Sequence, residues 1–347
     1  MVDTKIITVD KNRPEKDKIK RAAEIIRKGG LVAFPTETVY GLGGNALDED
    51  AAKKIYAAKG RPQDNPLIVH IYDISQLEKL VREIPERAKL LMDKFWPGPL
   101  TIIFHKNEMV PFGTTGGLDT VAIRMPSHPV ALELIKEANV PIAAPSANIS
   151  GRPSPVGAGD VAEDLAGRIE MILDGGKALV GVESTVLDLS EKVPIILRPG
   201  GVTREQLEEV LGRVDLDPGL GPGEKPRSPG QKYRHYAPKA RMTLVEGVID
   251  NQVKTISELA EKLEAQGLRV GIMATAQTRH LYTRGHIISA GDRTAPLTIS
   301  SNIFSILRKF DRIGVEHILA EGISKDGIGL AIMNRLYKAA GFNVLKV

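Results

Sequence analysis

The stretch Leu31-Val-Ala-Phe-Pro-Thr-Glu-Thr-Val-Tyr-Gly-Leu-Gly43 decides how the first half of the chain is to be read. Four apolar residues run up to a proline, which is a short buried strand, and a polar loop of hydroxyl groups and permissive glycines follows directly. Upstream, Ile19, Ala22, Ala23, Ile25 and Ile26 mark one face of a helix over Glu15–Lys28 that Gly29-Gly30 closes. Downstream, Asp48 caps a helix over Asp48–Lys59. Helix, strand, loop, helix is the alternation of an α/β domain, and it continues. Strands are expected at Leu31–Pro35, Leu67–Tyr72, Leu100–His105, Val121–Met125, Pro141–Ala144, Ile169–Leu173, Thr185–Leu189 and Ile195–Arg198, with a further helix at Pro85–Phe95.

From Asp215 to Pro238 the pattern breaks into a Gly- and Pro-rich run without hydrophobic periodicity, which reads as a linker. Beyond it, strands at Arg241–Glu246, Val270–Ala274, His286–Ser289 and His317–Ala320 alternate with helices at Gln252–Gln266, Ile299–Arg312 and Gly329–Ala340. The expected organisation is a catalytic α/β domain over 1–214, a linker over 215–240 and a smaller α/β domain over 241–347.

Composition narrows the chemistry. The 347 residues include no cysteine, which excludes thiol nucleophiles, thiolate zinc sites and iron–sulfur clusters. None of the seven histidines stands four residues from another, so no helical metal pair exists and no dedicated metal cage is expected. A net charge of +4 and 4% aromatics do not make a nucleic-acid groove. No apolar run is long enough to span a bilayer and the N-terminus lacks a signal-peptide pattern, so a cytoplasmic protein is expected.

The common nucleotide fingerprints fail as well. Gly41-Leu-Gly-Gly-Asn-Ala46 matches the dinucleotide pattern formally, but Thr36–Tyr40 separates it from its strand. There is no Walker motif and no nucleophile elbow. What remains is five polar loops, most of them set after strands, where open α/β sheets collect ligands. Pro35–Gly43 is the first, with an ordinary hydroxyl turn as its plain alternative. Lys59-Gly-Arg61-Pro-Gln-Asp-Asn65 is the second; its cations either complement a helix end or clamp phosphate, and Arg61 between glycine and proline is stiffly held. The third, Gly113 to Arg124, joins a glycine turn able to form an anion nest to an arginine on an apolar strand that needs an anionic partner. Ser146, Asn148, Ser150 and Ser154 form the fourth, open to helix capping or to ligand recognition. Val182-Glu-Ser184-Thr with Leu197-Arg198-Pro-Gly-Gly201 is the fifth. Lys59, Arg61, Arg124 and Arg198 thus face ligand loops without a matching set of carboxylates, which fits an anionic nucleotide. Without a protein nucleophile, alignment and charge stabilisation of an adenylyl transfer is the chemistry that suits them.

The motifs PTETVYGLG, KGRPQDNPL, TTGGLDTVAIRMPSHP, APSANISGRPSP, VESTVLDL, ILRPGG and SPGQKYRHYAP occur in an order that resembles the YrdC-type threonylcarbamoyl-AMP synthases, in the long form with an extra C-terminal domain. The motifs cover Ile19 to Pro238. The resemblance implies a twisted mixed sheet with helices and a large ligand crevice, followed by a Rossmann-like α/β domain. It further implies a nucleotidyltransferase that makes L-threonylcarbamoyl-AMP from L-threonine, bicarbonate and ATP, releases pyrophosphate, and supplies a separate transferase that modifies tRNA position 37. By motif position Thr38, His70, Arg124 and Ser184 would contact threonine, Arg124 taking its carboxylate. Lys59, Arg61, Asn65, Thr120, Ser146, Asn148, Ser154, Arg198 and Tyr236 would contact ATP, with Lys59 and Arg61 placed as the catalytic cations. Mg2+ is implied on the phosphates rather than in a protein site.

Two rivals are set aside on the residues. A basic RNA-binding module would not need such specific Ser, Asn and Thr loops, and a carbamoyl-transferring maturation factor would need cysteine zinc fingers. Strong direct nucleic-acid binding and membrane attachment are not expected. The stretch Gly221–Arg241, with Lys225, Arg227, Lys232, Arg234, Lys239 and Arg241 against Glu224, and with Tyr233, His235 and Tyr236, is expected to close over the nucleotide as a lid.

Overall fold

The computed structural model describes residues 2–219, 226–229 and 235–347. Two compact units emerge, one of residues 1–150 and 154–233, the other of 151–153 and 234–347.

The first unit is built on an 11-stranded sheet. In chain order its strands are β1 (Lys5–Thr8), β2 (Val32–Phe34), β3 (Gly41–Asn45), β4 (Ile68–His70), β5 (Leu100–His105), β6 (Thr120–Arg124), β7 (Ile142–Ala143), β8 (Met171–Asp174), β9 (Thr185–Asp188), β10 (Ile195–Arg198) and β11 (Asp215–Leu216). Spatially they run β1-β8-β2-β3-β7-β4-β6-β5-β9-β10-β11. The sheet is mixed: β4 runs parallel to β6 and antiparallel to β7, and β5 runs antiparallel to β6 and parallel to β9.

Two faces of the central strands differ in chemistry. Val69, Ile102, Phe104, Val121, Ile123 and Leu187 point into the main core with residues of helices Glu49–Lys59, Glu86–Phe95 and Ala158–Leu165. The alternate residues Ile68, Ile103, Ala122, Val186 and Leu197 form a small separate apolar cluster on the other face. His70 and Arg124 share that face by alternation with Ile68 and Ala122, and the register sets them opposite each other.

One expectation is corrected here. The glycines of the first loop are not in a loop: Gly41–Asn45 is strand β3, paired antiparallel with β2. The glycines are there for space, since a Cβ on Gly43 would stand 2.7 Å from Phe34 Cε1 and 2.8 Å from Ile142 Cγ2. The polar loop is only Pro35–Tyr40, shorter than its sequence suggests. Strands β1 and β11, and helices Ile74–Leu80, Pro129–Ala138 and Arg204–Leu211, had no expected counterpart. Asp48 does cap its helix, accepting from the backbone N–H of Asp50 and Ala51.

The second unit carries a five-stranded sheet in the order β14-β13-β15-β12-β16, from β12 (Arg241–Glu246), β13 (Val270–Ala274), β14 (His286–Ser289), β15 (His317–Glu321) and β16 (Val344–Lys346). All its pairings are parallel. Strand β16 was not expected, and the expected helix Ile299–Arg312 is two, Pro296–Ser300 and Ile303–Ile313.

Candidate functional site

Arg124 is the centre of the polar face. It is 3% exposed and donates from Nε to Gly98 O at 3.1 Å and from Nη1 to Thr38 Oγ1 at 3.0 Å. Its Nη2 lies 2.6 Å from Glu37 Oε1, a buried ion pair. Glu37 Oε2 has no hydrogen-bond partner, so this carboxylate keeps an acceptor in reserve. The expectation of an arginine needing an anion is met from inside the chain, and the idea that these loops lack carboxylates is corrected. Sequence reasoning missed Glu37, which sits in the same PTET motif between two threonines that were read for their hydroxyls.

The Thr36–Val39 turn that carries Glu37 is tightly built. Thr36 Oγ1 lies 2.8 Å from Thr38 Oγ1 and donates to Val39 O at 2.6 Å. The segment before β9 is tied to it, Val180 and Gly181 donating from backbone N–H to Glu37 O and Thr38 O. His70 is 3% exposed, with Nδ1 3.2 Å from Ile68 O and its ring edge-on to Phe34. Burial, and secondarily the Arg124 charge, push its pKa down to about 3, so at neutral pH the imidazole is uncharged. Thr38, His70 and Arg124 therefore form one group.

Ser184 belongs to a second group with Arg198. Ser184 Oγ is 2.8 Å from Thr101 Oγ1 and accepts from Arg198 Nη2 at 3.1 Å, while Ser184 O accepts from Arg198 Nε and Nη2. The close contact depends on Gly200, whose Cβ would stand 2.3 Å from Ser184 C. Ser154 Oγ donates to Glu183 Oε1 at 2.5 Å, a second buried carboxylate on the ligand loops.

Lys59 and the SAN segment make the third group. Lys59, 1% exposed at the end of helix Glu49–Lys59, donates from Nζ to Ser146 O at 2.5 Å and Asn148 O at 2.6 Å. Its backbone O accepts from Ser150 N–H. In this arrangement the ammonium fixes the shape of the segment holding Ser146 and Asn148. Arg61 folds onto its own loop, donating to Asn65 O and Pro66 O. Asn65 is buried with Oδ1 lacking a hydrogen-bond partner, a polar atom open to a ligand.

Thr120 stands apart. It opens β6 beside His105, four residues before Arg124, which is about 13 Å of strand. It lines a cavity with Arg87, His105 and Ser190 among others. Nor does the glycine turn before it form an anion nest. Its N–H groups are used internally: Gly117 donates to Phe112 O, Leu118 to Thr115 O, and Gly113 to Glu49 Oε2.

The linker expectation divides. Glu224, Lys225, Lys232, Tyr233 and Arg234 lie outside the described residues. Arg227, one of the cations expected to meet a polyanion, instead has its Nη1 2.9 Å from Asp188 Oδ2 within the first unit. Tyr236 belongs to the second unit, where it is 5% exposed and stacks on Phe304 at 5.2 Å. Its φ of +61° is uncommon for a residue with a side chain.

These groups do not collect at one end of the strands. Because the sheet is mixed, Ser146 follows β7 at one edge while His70 and Arg124 end β4 and β6 at the other. The expectation of a crevice outside strand carboxyl ends is corrected: the groups approach from both edges, and Arg124, His70 and Thr120 rise from the sheet face itself.

Residues 24–200 match the family model described as "Telomere recombination", the Sua5/YciO/YrdC model, and residues 202–341 match "Threonylcarbamoyl-AMP synthase, C-terminal domain". The chain belongs to the Sua5/YciO/YrdC family. Similar proteins named threonylcarbamoyl-AMP synthase come from Pyrococcus abyssi, 52% identical over 99% of this chain and 100% of the relative, and Bacillus subtilis, 52% identical over 94% of each. The structure of P. abyssi Sua5 complexed with L-threonine is 52% identical, with a TM-score of 0.95 over 99% of both chains. The two-domain α/β architecture and the nucleotidyltransferase type of enzyme expected from the motifs hold for this Sua5 family member. Among its described residues no helix is long and apolar enough to cross a membrane.

Proposed function

We propose that this enzyme makes L-threonylcarbamoyl-AMP from L-threonine, bicarbonate and ATP, and that a separate transferase uses the product to modify tRNA position 37. The observation that carries the reading is the Arg124–Glu37 pair set beside Thr38 and a neutral His70. An amino-acid zwitterion matches it: the carboxylate takes N–H groups of Arg124, the ammonium takes the unpartnered Glu37 Oε2, and the hydroxyl meets Thr38, His70 or Ser184. The complex of the P. abyssi relative with L-threonine supports it.

Glu37 then accepts the ammonium proton, freeing the amine. The amine nitrogen bonds to the bicarbonate carbon with loss of water, and the resulting carbamate oxygen attacks the α-phosphorus as the bond to pyrophosphate breaks. Arg198, Arg61, Asn65 and the Ser146–Asn148 segment hold the nucleotide, and Lys59 keeps that segment in shape. Mg2+ would enter on the triphosphate and neutralise the leaving pyrophosphate; the described residues hold no cluster of three or more His, Asp or Glu able to bind it alone. Placement in the cytoplasm belongs to the same reading. Pyrophosphate release should require threonine and bicarbonate together, with threonylcarbamoyl-AMP seen by mass spectrometry. Equal release with ATP alone refutes the reading.

A further inference from the structure

In the second unit the chain leaves β12 through helix Ile249–Ala265 and crosses β15 to reach β13; from β15 it leaves through helix Gly329–Ala339 and crosses β12 to reach β16. The two crossovers run in opposite directions from neighbouring parallel strands. Right-handed connections then place the two helices on opposite faces and open a crevice between the carboxyl ends of β12 and β15. A cavity of about 270 Å3 lies there, lined by Glu246, Gly247, Gln252, Arg293, Ser324 and Lys325 among others.

Its chemistry is that of a site. Gln252 is 2% exposed; its Nε2 donates to Gly247 O at 2.8 Å, and its Oε1 has no hydrogen-bond partner. A buried amide oxygen left open beside a cavity calls for an N–H or O–H donor. Arg293 is braced by Thr275 Oγ1, Gly322 O and the buried Glu321 carboxylate, which presets its guanidinium. Lys325 is half-exposed, 3.7 Å from Glu246. Helix Ile249–Ala265 begins here without a side-chain cap, its N-terminal dipole adding positive potential. Cations and a helix N-terminus suit a phosphate, and Gln252 suits a polar group beyond it. The turn Glu246-Gly-Val-Ile-Asp250 has no glycine-rich phosphate loop, and the cavity is small, so a dinucleotide does not fit.

The geometry points to a binding site for a phosphorylated small molecule of nucleoside-monophosphate size in the second unit, separate from the proposed synthase chemistry. Hydrogen exchange on the full chain tests it with AMP, ribose 5-phosphate and inorganic phosphate as probes. AMP or ribose 5-phosphate should protect peptides covering 246–252 and 322–328, AMP being the stronger if the base is read. Lys325→Glu, an exposed change, should raise the concentration needed at least tenfold while leaving threonylcarbamoyl-AMP formation unchanged, so this result is read apart from the catalytic one. Gln252→Leu should weaken both organic probes and not inorganic phosphate. No protection at millimolar AMP or ribose 5-phosphate, protection indifferent to both substitutions, or equal protection by inorganic phosphate overturns the assignment.

Discussion

The two sheets of this protein handle polar groups in opposite ways. In the second unit every strand is parallel, so all carboxyl ends fall on one edge, and Glu246, Arg293 and Lys325 gather there. In the first unit the central strands run in both directions, the loops leave from both edges, and the candidate site lies on a face where His70 and Arg124 stand beside a small apolar cluster. Strand direction therefore decides whether a site is built from loop ends or from side chains of the sheet. A face site is held rigidly by register, but its charged groups are deeply buried and must find partners within the chain, as Arg124 does in Glu37.

That cost makes Arg124 the place where the contrast breaks hardest. Arg124→Ala should weaken threonine binding by about 2–5 kcal/mol, since it removes the cation proposed for the threonine carboxylate and strands Glu37 as an unpaired buried charge. Isothermal titration checks this; unchanged affinity would remove Arg124 from the site. Arg124→Lys should rescue poorly, because a point charge cannot replace two directed N–H bonds together with the ion pair to Glu37. Glu37→Gln separates the two roles of the carboxylate: product formation should fall more than threonine affinity if Glu37 takes the proton.

Lys59→Met should come next. It strips hydrogen bonds from the Ser146 and Asn148 carbonyls and should cost about 1–3 kcal/mol of stability, with a raised KM for ATP and a smaller change for threonine. A KM for ATP that stays put while stability drops would confine Lys59 to folding.

His70 sharpens the comparison through pH. Its folded pKa of about 3 lies below the ordinary value of 6.5, so between them the unfolded chain binds more protons. Stability from keeping this imidazole neutral is complete above about pH 6.5 and is lost as pH falls toward 3, by up to about 1.4 kcal/mol per pH unit. Denaturant unfolding from pH 4 to 7.5 should show that slope, and His70→Gln should remove it. Thr120→Val should have the smallest effect, under about 1 kcal/mol on ATP affinity, because the strand carries Thr120 away from the other groups. A larger loss would mean that the nucleotide spans the whole face.

Legibility in the sequence followed the physics of each signal. Strands such as Leu100–His105 and Ile195–Arg198, and the helix from Asp48, were readable because their apolar period or cap is local. Strand β3 was not, because glycines read locally as a turn, and only the Phe34 and Ile142 side chains across the sheet show why no Cβ fits. Glu37 was overlooked for a similar reason. A carboxylate among threonines has no local mark, and its meaning comes from an arginine 87 positions later.

By itself the sequence determined the α/β alternation, the absence of thiol chemistry, the break after the first two hundred residues and which loops hold the cations, because composition, periodicity and motif order are properties of neighbours along the chain. Only the tertiary structure decided that the first sheet is mixed, that Arg124 is answered by Glu37, that Lys59 is spent on the Ser146–Asn148 backbone and that Tyr236 rests on Phe304. Those outcomes depend on strand direction and on pairs far apart in sequence, and burial makes the pairing obligatory: a charge or a polar atom taken out of water must be met by whatever the fold brings to it.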